Sequence, residues 1–165
     1  MIAQLERLIA GLRDELQQYG EMLALLDREQ ELVIQRASAE LFETVGSIQM
    51  QAAVIQQARA RREDDRTALA RALRQPDDTS ITAIVPQLPS DYQPLVEALI
   101  RENNQLLVRV QQRARQNHLL LTRSLELMQR FIATLFPSRD TQVYDDHGQR
   151  PMRHPLVPAR YEAVG

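Results

Sequence analysis

Apolar side chains recur in alternating steps of four and three through the first part of the chain. Leu5, Ile9, Leu12, Leu16, Tyr19, Leu23, Leu26, Gln30 and Val33 fall on this frame across residues 2–37. Such an alternation is the seam of a left-handed, coiled-coil-like helix, which needs partners for its stripe. Gly11 and Gly20 each cost a helix about 1 kcal/mol against Ala, enough to weaken it without ending it. The next two steps, to Ala37 and Leu41, are both four. Ser38 is a good N-cap there, and an unbroken helix to Leu73 would exceed ordinary globular lengths, so a break between two helices is favoured over a local change of winding. Leu41, Val45, Ile48, Ala52 and Ile55 restore the seam, and Leu69 and Leu73 end it. Between them the frame meets Arg59, Arg62 and Arg66. That block is polar all round and reads as a helix end standing clear of the bundle, solvated by its own ion pairs.

Pro76 stops this helix, and Asp77, Asp78, Thr79 and Ser80 offer side-chain acceptors for the next start. Pro86, Pro89 and Pro94 then limit the chain to a helical turn or two, packing Ile81, Ile84, Val85 and Leu88. Residues 91–136 form the longest element, with Ser90 or Asp91 as its cap. Leu95, Leu99, Leu106, Val110, Ala114, Leu121, Met128, Phe131 and Leu135 share one face of it. A helix of that length would be about 60 Å long and cannot bury its stripe on itself. The expected fold is therefore all-α. It is an elongated bundle of long antiparallel helices, at about 2–37, 39–74 and 91–136, with a short Pro-bounded connector at about 80–88. Residues 1–136 would make one domain. Residues 137–165 hold four Pro, two Gly and no apolar period, and read as a flexible tail.

Charge refines the packing. From 103 to 125 there are four Arg and no acid; from 13 to 43 there are eight acids and three Arg. An antiparallel contact between these stretches would match charge as well as stripe. Asn103 and Asn117 fall on or beside the seam. Register control outweighs a hydrogen bond to a partner backbone as their reading.

Composition removes several functions. The 165 residues include no Cys and no Trp, all 20 basic residues are Arg, and the net charge is −2. Nothing in that balance points to nucleic acid. Residues three before His118, His147 and His154 are Arg115, Tyr144 and Pro151, so the Glu-x-x-His metal pairs of helical bundles are absent. Ser124 and His118 are six apart on one helix and face different ways. Asp145, Asp146 and His147 read as a turn. No enzyme, metal or cofactor is expected. Without an apolar run of about 18 residues or a signal-peptide pattern, neither export of the chain nor stable membrane insertion is expected.

Residues 119–136 are apolar on more than one side. Leu119 and Leu120 flank the seam at Leu121, and Leu125 and Ile132 widen it. This is either a broad core face or a surface for a partner helix.

Three stretches resemble the FlgN family of flagellar export chaperones. They are LALLDREQELVIQRASAELFETV, ITAIVPQLP ahead of a long helix with QNHLLLTRSLELM, and VYDDHGQR. The resemblance implies a cytoplasmic chaperone for the hook–filament junction proteins FlgK and FlgL. Such a protein binds the client's C-terminal helical segment, prevents early assembly and delivers the client to the export gate, using no nucleotide. The family's client-binding region maps onto Leu119, Leu120, Leu121, Leu125, Met128, Phe131, Ile132, Leu135, Phe136 and Tyr144. At most a weak homo-oligomer is expected. The alternative is a structural coiled-coil scaffold that only oligomerises through its heptads.

Overall fold

The computed structural model describes residues 1–135. Among them are three long helices, α1 (Ile2–Gln35), α2 (Ser38–Ala72) and α4 (Gln93–Leu135), and the one-turn α3 (Ile81–Ile84), which runs into a 3-10 turn at Val85–Gln87. This is the all-α bundle with a Pro-bounded connector that the periodicity predicts. The expected tail lies outside the described residues. The chain divides into two compact units, Met1–Glu126 and a second that opens at Leu127.

The break between α1 and α2 is made by Arg36, not by Ser38. Arg36 takes a left-handed conformation, φ 58. The N–H of Ala37 then donates to Leu32 O at 3.1 Å and that of Arg36 to Val33 O at 3.3 Å. The end of α2 repeats the motif, with Arg74 at φ 57 and Gln75 N–H donating to Ala70 O at 2.8 Å. Both helices thus close with the paired bonds usually built on a left-handed Gly. Ser80 caps α3, accepting from Ala83 N–H at 3.2 Å.

Within the first unit α2 runs antiparallel to α1. Arg7 meets Asp65, Glu15 meets Arg59, and Gln51 donates to Gln18 O. The two backbones come close at Gly11, where an added Cβ would lie 3.5 Å from Arg62 Cα. α4 runs parallel to α1: Asn103 donates to Leu12 O and Asn117 to Leu26 O, both 91 positions apart in sequence. The antiparallel charge match between these stretches is therefore corrected. Three helices joined in succession run up, down and up, so the first and last share a direction. One element of the match survives, since Arg113 Nε lies 2.7 Å from Asp27.

The apolar core gathers where α3 caps the bundle, around Leu5, Leu8, Leu12, Leu69, Ile84 and Val96. Fully burying each such side chain is worth about 2 kcal/mol. A second cluster joins Tyr19, Met22, Leu26 and Ile55, with Leu106 and Val110 of α4 against it. The seam of α1 is displaced from the expected frame. Leu5, Leu12, Tyr19 and Leu26 are buried as read, but Leu8, Glu15, Met22, Glu29 and Leu32 are buried where Leu16, Leu23, Gln30 and Val33 are only half-buried. On α4, Val96 is buried and Leu95 is not.

Candidate partner-binding face

The stripe by which α4 packs on α1 runs through Val96, Leu99, Asn103, Leu106, Val110 and Asn117. Within the first unit the same helical face continues to Leu121. On the register set by the two Asn bonds, Gln35 at the end of α1 stands level with Glu126. In the first unit Leu119 and Leu125 are more than half exposed, and Leu120 and Leu121 are partly buried. In the helical segment that opens the second, Leu127, Met128, Phe131, Ile132 and Leu135 are all more than half exposed. Phe136 and Tyr144 lie outside the described residues. Sequence reading passed over Leu127, because it sits beside the seam and not on it.

A further apolar surface lies on α2. Phe42 is 80% and Met50 67% exposed. From 44 to 58 this helix carries no charge at all. Periodicity assigned Leu41, Val45 and Ile48 to the seam and gave no sign that the opposite side is also apolar.

Farther along α2 the arginine block turns inward, contrary to the expectation of a solvated end. Glu15 of α1, 4% exposed, is the reason. Its Oε1 accepts from Tyr19 Oη at 2.6 Å and from Arg59 Nε at 3.3 Å. Arg59 Nε also donates to Tyr19 Oη at 2.7 Å. Arg62 Nε lies 3.1 Å from Oε2, a charge contact whose N–H is not aimed at the oxygen. Burial first, and then the bond to Glu15, pushes the Tyr19 phenol up to about 12. Arg66 is buried too, bonded to Glu63 and to the Thr79 carbonyl. The carboxylate on α1 pulls its cations in, because a buried charge is tolerable only when paired. A cleft of about 660 Å³ opens beside this cluster, with Glu15 and Arg62 on one side and Ile100 and Asn103 on the other. Three acids and three arginines balance in its lining.

Among the described residues no three His, Asp or Glu side chains gather as metal ligands would. No described helix is long and apolar enough to cross a membrane. The arrangement suits association through apolar helix surface.

No curated protein and no solved structure matches the chain. The family model described as FlgN protein matches residues 1–151. That span takes in all three long helices and the connector between α2 and α4. The chain belongs to the FlgN family of flagellar export chaperones.

Proposed function

We propose that this chain is a cytoplasmic chaperone that binds the C-terminal helical segments of hook-associated, junction-type proteins such as FlgK and FlgL. It holds them from assembling early and delivers them to the export apparatus. The observation that carries this reading is the exposed apolar stripe of α4 from Leu119 to Leu135. A contiguous apolar face of that kind on a soluble bundle marks a docking surface. The client segment, unfolded alone, would fold as an amphipathic helix against it. Ordering the segment costs about 2–5 kcal/mol, which keeps binding releasable. No bond is made or broken, so neither cofactor nor nucleotide enters.

The test is titration of client C-terminal segments into the full chain and into a Leu125→Ala/Phe131→Ala variant. The variant should stay as helical by circular dichroism while its affinity falls by tenfold or more. Unchanged affinity, or an unfolded variant, would overturn the assignment. Sedimentation separates the scaffold alternative: a stable large oligomer without client would favour it.

A further inference from the structure

Two buried carboxylates repeat on α1, Glu15 and Glu29, two heptads apart. Two buried amides, Asn103 and Asn117, repeat on α4 with the same spacing. Both layers leave an amide oxygen without a donor, Asn103 Oδ1 and Asn117 Oδ1, and they differ in the cations around the carboxylate. Around Glu15 stand Tyr19, Arg59 and Arg62. Glu29, 7% exposed, receives only the Asn117 amide, at 2.7 Å. Among the described residues no arginine lies within 4.0 Å of it. Arg28 is turned to Glu31 and Arg113 to Asp27. α2 has no cation to offer there, since its arginines begin only at Arg59, after the uncharged run from 44 to 58.

The unmet chemistry in the upper layer has one sign. Asn117 is 2% exposed, and its Oδ1 accepts no hydrogen bond. Its Nδ2 is already spent on Leu26 O and on Glu29. Among the described residues, a carboxylate without a cation and an amide oxygen without a donor therefore stand together. Both call for N–H groups, and the first calls for positive charge. Asn117 lies on the stripe of α4 that leads on to Leu121.

We propose that an arginine of the docked client segment completes this layer, its guanidinium set on Glu29 and on Asn117 Oδ1 as Arg59 and Arg62 are set on Glu15. The inference rests on the docking reading above and names the polar half of that recognition. A guanidinium offers several N–H donors in one plane, enough for both acceptors, and its methylene stem can lie along Leu and Met surface. The contact would also fix register. An apolar helix can slide by a turn on a leucine face, whereas a single buried polar pair allows one alignment.

The experiment is a citrulline scan. The C-terminal segment of a hook-associated protein from the same organism is synthesised with each arginine replaced in turn by citrulline, which keeps shape and loses charge. Binding is measured by calorimetry to the full chain and to Glu29→Gln. One citrulline position should weaken binding by about tenfold or more, and that loss should vanish in Glu29→Gln. A flat scan, or an equal loss in both chains, overturns the arginine assignment while leaving docking intact. If the parent segment does not bind at all, docking and arginine fall together. Gln can still accept from Asn117, so Glu29→Gln should melt within a few degrees of the parent. A variant that unfolds would show the carboxylate to be structural and overturn the proposal.

Discussion

The side-chain amide of Asn103 donates to the backbone carbonyl of Leu12 at 2.9 Å, joining α4 to α1 across 91 positions of sequence. It donates to Leu99 O as well, while its Oδ1 is buried without a partner. Such a residue trades stability for alignment, as a polar seam residue does in a coiled coil. Asn103→Leu should therefore leave the melting temperature unchanged or raise it. The same variant should broaden the amide spectrum of α4, because parallel registers one turn apart become closer in energy. Asn103→Ala, which removes the bonds without refilling the space, should cost about 1–3 kcal/mol in chemical denaturation.

Glu15 offers a sharper measurement. Its carboxylate is shared by Arg59 and Arg62, so Glu15→Ala leaves two partly buried guanidinium groups facing a gap. The expected loss is about 3 kcal/mol, read as a shift in denaturant midpoint. Replacing all three by Leu, Met and Leu should lose much less, because the charges leave together. A triple variant as unstable as the single one would show that packing, not charge, holds this layer.

The same residue shows what the sequence could and could not reveal. Leu5, Leu12, Tyr19 and Leu26 were legible because apolar spacing of seven survives in them. The alternate positions were not, because two are glutamates, and a polar residue in a seam looks like the outside of a helix. The frame was therefore drawn through Leu16, Leu23 and Gln30, one residue off. With Glu15 off that frame, nothing in the period gives the arginines at 59–66 a partner to turn towards. Pro punctuation placed the connector, and the left-handed Arg36 was hidden because Gly usually marks that position. Breadth of apolar character singles out residues 119–135 of α4, but period alone does not tell which of those side chains stand exposed.

Tyr19 makes the Glu15 layer sensitive to alkali. Its folded value of about 12 lies above the ordinary phenol value of about 10. The folded state holds the proton that the unfolded state releases, so the stabilisation is complete below about pH 10 and is lost as pH rises through 12. The difference amounts to about 2–3 kcal/mol. Tyr19→Phe should be about 1 kcal/mol less stable at pH 7, from the lost hydrogen bonds. Its stability should then fall less steeply than the parent's between pH 10 and 12, so that the two curves converge and cross at about pH 11. Parallel curves would mean that the phenol is not buried against the carboxylate.

The exposure of the α4 stripe can be tested without any client. Leu99 and Met128 both belong to α4, yet Leu99 is 6% exposed and Met128 61%. Leu99→Ala removes a side chain packed in the core around Leu5 and Val96 and should cost about 2–5 kcal/mol. Met128→Ala removes one that touches little, and Ala is the better helix former, so its effect should stay within about 0.5 kcal/mol. Thermal melts of the full chain decide it, run at several protein concentrations so that self-association would show. A Met128→Ala loss approaching that of Leu99→Ala would mean that the stripe is already covered in the free protein. In that case the face could not receive a client without first displacing whatever covers it.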